Sequence, residues 1–367
     1  MLQRLYVHNF RCLENFEMSL KRISSALLIG KNGVGKSTIA SALEVFQRVG
    51  RGINRVGELV TPKDFAFGRS QIPIRFELEI LLQDKLYQYN LAFELPEGFK
   101  ELRILEERLF VEGNPVYDRK AAQVTLISRN REAQFLVDWH LVALPIIQEQ
   151  SDTDPLRIFK LWLARMLILS PIPALMTGES SRKTLAPEKN LANFGEWFSG
   201  LLSYYPAAYT QIDRYLIEVI PDIEDILNES IGKDANNMVV RFATNNMTLS
   251  IDFKDLSSGE KCFFLCAVVL AANKYYGPLL CFWDEPGSHL SLSEIGHLMI
   301  ALRRSFKDHG QIIVTSHHEE AIRKFADENS FVLDRKSHLE PTVIRLLTDV
   351  PISGDLVGTL IRGDIQL

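Results

Sequence analysis

Cysteine is scarce in this chain, with four in 367 residues (Cys12, Cys262, Cys266 and Cys281), and no two show C-x-x-C spacing. Three of them lie in apolar runs. That excludes a disulfide framework and a cysteine-type zinc site, and it predicts reduced, buried thiols. No apolar run approaches the ~20 residues that span a bilayer, and no signal-peptide pattern opens the chain. A cytoplasmic protein without membrane contact is expected. Excess charge is also small: the net value of −5 leaves little bulk attraction for nucleic acid. Sustained heptads are missing too, which excludes a rod-like coiled coil. What remains, 46% hydrophobic and 24% charged residues, is the composition of a globular chain with one large or two moderate cores.

Against this plain background stands Gly30-Lys31-Asn32-Gly33-Val34-Gly35-Lys36-Ser37, which has the phosphate-loop spacing G-x-x-x-x-G-K-S. An apolar strand at 26–29 precedes it. Residues 38–47 follow with helical spacing, Ile39, Leu43 and Phe46 sharing one face. Strand, glycine loop and helix together give the motif a mechanism. Gly30, Asn32, Gly33 and Gly35 let backbone N–H groups converge on phosphate oxygens, and Thr38 continues the turn. The helix N-terminus adds partial positive charge. Lys36 would reach the β- and γ-phosphates of ATP, and Ser37 would bind magnesium.

Three further segments carry chemistry. The buried strand 279–283 delivers Asp284-Glu285-Pro286, where Asp284 would hold magnesium and Glu285 would polarise the attacking water. Leu256-Ser257-Ser258-Gly259-Glu260-Lys261 opens an apolar helix at 262–272. Its turn can bind an anion, although serine there is also an ordinary helix cap. Strand 311–317 ends on His317, placed to touch a γ-phosphate or the attacking water. His318, Glu319 and Glu320 follow at once. Four consecutive residues rarely converge on one ion, so these read as the exposed start of the next helix.

The order of these four segments resembles the ABC-type ATPases. The opening Leu5-Tyr6-Val7-His8-Asn9-Phe10-Arg11 looks like the RecF, SMC and overcoming-lysogenization-defect branch, in which Arg11 would lie near the nucleotide. Within that branch the chain resembles the compact bacterial "AAA family ATPases" of phage-defence and abortive-infection systems, of the Septu and retron type. The motifs cover roughly residues 1–95 and 241–335. Two departures stand out. Ser291 occupies a place where ABC proteins carry an aspartate, and the magnesium-binding glutamine could be Gln71, Gln148 or Gln150.

The resemblance implies an α/β P-loop fold: an ABC-type head with a mixed sheet, a flanking antiparallel sheet and a helical insertion. Residues 1–112 and 239–347 would form the two halves of the head, 113–238 the helical insertion, and 348–367 a tail. Alternating strands at 72–80, 86–93 and 105–111 supply the antiparallel sheet. Helices are expected at 159–169, 194–204 and 209–219, with a mobile loop at 178–183. The resemblance also implies a magnesium-dependent ATPase that works as a homodimer or higher homo-oligomer. Lys36 of one chain and Ser257, Gly259 and Glu260 of its partner would sandwich ATP head to tail, with hydrolysis by Glu285 and His317 reopening the dimer.

No effector chemistry is evident. The 50 residues after His317 are too few for a Toprim nuclease domain, and the Arg304/His309 spacing sits outside any HEPN-like bundle. The first functional expectation is therefore a switch that regulates a separate nuclease or toxin, docked through the insertion or the apolar stretch 351–362. The alternative is a RecF-like repair ATPase that binds DNA as an ATP dimer. For that reading the visible cations are Arg48, Arg51 and Arg55, a group that, given the overall charge, reads better as a solvated loop capping a helix.

Overall fold

The computed structural model describes residues 1–128, 131–232, 234–245, 247–325 and 329–350. By packing, the described chain divides into two units. The first holds residues 1–23, 28–166 and 329–350, and the second holds 24–27 and 167–325.

The first unit is built on an antiparallel sheet. Its strands are β1 (Leu2–His8), β2 (Phe16–Ser19), β4 (Ile74–Leu82), β5 (Lys85–Glu94), β6 (Arg103–Val111), β7 (Asn114–Lys120), β8 (Gln123–Ser128) and β9 (Arg131–Leu136), in the order β2-β1-β4-β5-β6-β7-β8-β9. The alternation in β4 buries Ile74, Phe76, Leu78 and Ile80 on one face. Helix α1 (Lys36–Gly50) lays Phe46 on that face, edge-on to Phe76 and Tyr89 at 5.9 Å each. A short α2 (Val56–Leu59) follows. Gly50 is where α1 meets α3 (Pro155–Arg165): a Cβ there would stand 2.4 Å from that of Leu163. The last two residues of β3 (Ser25–Ile29) also belong to this unit, with β16 (Ser330–Asp334) beside them and then β17 (Val343–Leu346).

The second unit contains the parallel strands β10 (Leu167–Leu169), β14 (Leu280–Trp283) and β15 (Gln311–Thr315), followed in the sheet by the opening residues of β3. It also holds α4 (Phe194–Tyr204), α5 (Ala208–Val219), α6 (Ser258–Tyr275), α7 (Leu292–Phe306) and α8 (Glu319–Lys324). A small antiparallel sheet joins β11 (Ile223–Ile231), β12 (Ala235–Thr244) and β13 (Met247–Asp252). Thirteen of the eighteen residues of α6 are buried, so this helix is apolar all round, as a core helix must be.

Four expectations need correction. The segment from 113, expected to be helical, opens with the three strands β7 to β9. The inward positions of β7 are Tyr117 and Arg119, both fully buried, and β8 adds Val124, so apolar alternation does not announce them. Strands β11 and β12 likewise start before 239. The helix expected at 159–169 is α3, which begins earlier because Asp154 accepts the Leu156 N–H at 2.9 Å and Pro155 takes the first helical position. Residues 167–169 are instead the buried strand β10. Finally, the loop expected to be mobile at 178–183 is pinned. Ser180 exchanges both backbone hydrogen bonds with Asn236, at 2.8 and 3.0 Å. Gly195 and Gly200 on α4 let it pass closely: a Cβ at Gly200 would fall 2.1 Å from the Thr184 carbonyl oxygen. The stretch 351–362 lies outside the described residues.

Candidate functional site

In the first unit the phosphate loop is a cradle whose shape depends on glycine. Gly33 (φ 83°) and Gly35 (φ 107°) occupy left-handed backbone, which side chains disfavour. Space is a second constraint. A Cβ on Gly35 would stand 2.8 Å from both Cys12 Sγ and Thr342 Oγ1, and one on Gly30 would stand 2.6 Å from the Leu333 carbonyl oxygen. Lys31, Asn32, Gly33 and Ser37 are exposed, whereas Lys36 is buried. The Lys36 ammonium donates to the carbonyls of Gly30 at 2.6 Å and Lys31 at 3.3 Å. Helix α1 carries no acidic residue in its first turn, which leaves its positive end open to an anion.

Arg11 is held toward this helix. Its Nε pairs with Asp64 at 2.8 Å, and its Nη1 donates to Ser41 Oγ at 3.0 Å, one turn beyond Ser37. Ser41 Oγ in turn donates to the Ser37 carbonyl at 3.0 Å. A brace that sequence reasoning missed is Thr342. Its buried hydroxyl donates to the Val34 carbonyl at 2.6 Å, and its N–H donates to the Cys12 carbonyl at 2.9 Å. Arg48, Arg51 and Arg55 all have partners in this unit. Arg48 donates to the Glu58 carbonyl, Arg51 to the carbonyls of Ala164 and Met166 at the end of α3, and Arg55 lies 3.9 Å from Glu101.

In the second unit β14 and β15 run parallel and bring their C-terminal ends together. Asp284 and Glu285 leave β14 beside Thr315, the last residue of β15. The buried Thr315 hydroxyl donates to Asp284 Oδ1 at 2.6 Å and accepts the Glu285 N–H at 2.9 Å. One hydroxyl thus orients both acidic residues. Glu285 has φ 50°, a left-handed conformation unusual for a side-chain-bearing residue. Its Oε2 lies 3.0 Å from Nδ1 of His317. Thr315 was legible only as a strand residue; the signal that could have found it is a hydroxyl at the last position of a buried strand.

His318 departs from expectation. It is half-buried, and its ring stacks on that of His317 at 4.4 Å. Burial first, and the neighbouring His317 next, push its imidazole below the usual range. Glu319 and Glu320 do begin α8, where they pair with Arg323 and with Lys324.

Ser257 and Glu260 close a capping box at the start of α6. The Ser257 N–H donates to the Glu260 carboxylate at 2.7 Å, and the Glu260 N–H donates to Ser257 Oγ at 3.2 Å. Gly259 keeps this tip close to the loop after Asp284: its Cβ would meet the His289 carbonyl oxygen at 3.2 Å. Ser291 serves as the N-cap of α7, its N–H donating to Glu294 at 2.7 Å. None of the three candidate glutamines follows a parallel strand. Gln71 precedes β4, while Gln148 and Gln150 precede α3. The strand parallel to β14 ends instead in Leu169-Ser170, with the Leu169 carbonyl accepting the Asp284 N–H at 2.8 Å.

The family described as "AAA domain, putative AbiEii toxin, Type IV TA system" matches residues 25–323. The chain belongs to that family. No curated protein matches this AbiEii-type AAA protein in sequence. Among solved structures, the Smc head domain with an extended coiled coil bound to the C-terminal domain of ScpA, derived from Pyrococcus furiosus, is similar at a TM-score of 0.56. Identity is 12%, over 95% of this chain and 96% of that one. The SmcHead bound to the C-winged helix domain of ScpA gives 0.55 at 14% identity, over 94% and 98%. The AbiEii-type protein therefore has the mixed α/β P-loop fold of the SMC and ABC ATPase heads.

Proposed function

We propose that this chain is an ATP-hydrolysing conformational switch that assembles head to tail with a second copy and regulates a separate effector, a nuclease or toxin, in an antiphage defence system. The observation that carries this reading is the Thr315 hydroxyl, which ties Asp284 and Glu285 together with His317 3.0 Å from the Glu285 carboxylate. A carboxylate so fixed is suited to orienting a water for attack on a γ-phosphate.

The residues fit the ligands. Gly30 and Gly35 leave no room for a side chain in the loop, which favours backbone donors for phosphate, and the Lys36 ammonium is tied to the Gly30 carbonyl. We assign the Ser37 hydroxyl to magnesium, and the Asp284 carboxylate offers an oxygen donor of the kind this ion also takes. Bound magnesium would screen the charge of the β- and γ-phosphates. Glu285 accepts the proton of the attacking water, and His317 steadies Glu285 and the departing phosphate. Ser257, Gly259 and Glu260 at the exposed tip of α6 reach the γ-phosphate held by the partner copy. Loss of that phosphate breaks the bridge and opens the dimer, a switch of the order-and-release kind.

The toxin in the family description supports a defence setting, and the ScpA-bound Smc heads support a protein partner for this head type. A DNA-repair clamp would ask for cations free to meet phosphate, whereas Arg48, Arg51 and Arg55 are engaged within the chain.

Light scattering of Glu285→Gln protein, with and without ATP and magnesium, tests the switch. The substitution keeps the shape of the site and removes the base, so mass should double with ATP. A monomer throughout would remove the role assigned to Ser257. A constant larger mass would mean that ATP reshapes a standing oligomer.

A further inference from the structure

Glu285, His317 and His318 each bring one ligand-type atom within 4.8 Å of the others'. Two of these residues carry polar atoms that are shut off from solvent and without a hydrogen-bond partner, Glu285 Oε2 and His318 Nε2. His317 Nδ1 comes within 3.0 Å of that same Oε2, yet no hydrogen bond satisfies the oxygen. A buried polar atom left without a partner destabilises the fold, because the water it gave up is not replaced. Two of them converging beside a third donor mark a place where a partner is to be supplied.

The backbone fixes this convergence. Side chains of successive extended residues ordinarily point to opposite sides, but His317 and His318 face the same way, with their rings stacked at 29°. The His318 N–H is tied to Ser316 Oγ at 3.1 Å, and its residue forms the N-cap of α8. Glu285 is turned inward by its left-handed backbone and by the bond from its N–H to Thr315. His317 is 59% exposed on its side chain, which leaves a route from solvent.

Two imidazoles and one carboxylate are the donor set of open zinc sites, with a fourth position left for water. Magnesium and calcium, by contrast, prefer oxygen alone. We propose that Glu285, His317 and His318 form a binding site for a zinc-class transition-metal cation, and that filling it withdraws Glu285 from water activation. The regulatory part rests on the function proposed above; the site itself does not. Such a cation acts as a brake, since the carboxylate that coordinates it cannot also accept a proton from water.

The test uses tag-free, nucleotide-free full-length protein. Zn2+ alone is titrated by calorimetry, and Co2+ is titrated as a probe whose visible absorption reports a low-symmetry nitrogen–oxygen site. One ion per chain is expected. His318→Ala and His318→Asn should each weaken binding at least tenfold and abolish the cobalt bands. Both variants should hydrolyse ATP at the wild-type rate in zinc-free magnesium buffer and should resist inhibition by zinc. Equal zinc affinity in wild type and both variants, or no binding by wild type, overturns the site. Binding without inhibition overturns the brake alone. If no form hydrolyses ATP without zinc, the function proposed above fails, while the two titrations still decide the site.

Discussion

Thr315 shows how one hydroxyl can set the chemistry of two neighbours. It lies at the end of β15, donates to Asp284 and accepts from the backbone of Glu285. Thr315→Val keeps the shape and removes both bonds. Leaving a carboxylate oxygen and an N–H unpaired costs about 1–3 kcal/mol each where they are buried, and here both groups can relax toward solvent or phosphate. The expected outcome is a loss of about ten- to a hundredfold in kcat, with ATP affinity changed less than threefold, because the hydroxyl touches Asp284 and Glu285, the residues proposed above to act on magnesium and water. Steady-state hydrolysis alongside equilibrium nucleotide titration separates the two. A fall in affinity alone would assign Thr315 to binding.

Among the elements, the pair β6 and β7 explains what could be read in advance and what could not. Glu107 on β6 is fully buried. It accepts from the Tyr89 and Tyr117 hydroxyls at 3.0 and 2.7 Å and from the N–H groups of Ala143 and Leu144 at 2.7 and 2.8 Å. Arg119 on β7 faces it at 3.5 Å and donates to the carbonyls of Ala121, Asp138 and Leu141. Burial, and next the Glu107 charge, hold the Tyr89 and Tyr117 phenols well above their usual range, so both remain donors. Glu107→Gln removes the charge that faces Arg119 and leaves the buried guanidinium with carbonyl partners, so a loss of about 3–5 kcal/mol is expected in urea unfolding. A change under about 1 kcal/mol would mean that water reaches the pair.

The same pair hid β7 from the sequence. Strands β4 and β5 announce themselves because their inward residues are apolar, β6 does so through Ile104 and Leu109 despite the buried Glu107, and α1, α4, α6, β14 and β15 do so through periodicity or length. On β7 an arginine stands where alternation would demand an apolar residue, and its partner lies 12 positions away in sequence. Pairing across strands leaves no local trace. The loop 178–183 misled for a related reason: its composition reads as looseness, while the contact that holds it, backbone passing close to Gly195 and Gly200 of α4, is tertiary and leaves no mark on the loop itself. At the candidate site the motif residues were legible because phosphate chemistry fixes their spacing. Thr315 and Thr342 were not, because each acts on residues far away along the chain.

Across the whole molecule, the phosphate loop is finished by distant sequence. Gly35 leaves no room for a side chain between Cys12 and Thr342, and the Thr342 hydroxyl holds the Val34 carbonyl. Thr342→Val should therefore weaken ATP binding about three- to tenfold while leaving the far-ultraviolet spectrum unchanged. Fluorescent-nucleotide titration measures the first and circular dichroism the second. Unchanged affinity would show that the glycines alone hold the loop.

Val34 and Thr342 are 308 positions apart. During synthesis the phosphate motif is made 308 residues before the hydroxyl that braces it. A nascent chain thus displays the motif long before it owns the completed cradle. The shape of the loop therefore depends on a bond that no early segment of the chain can make for itself.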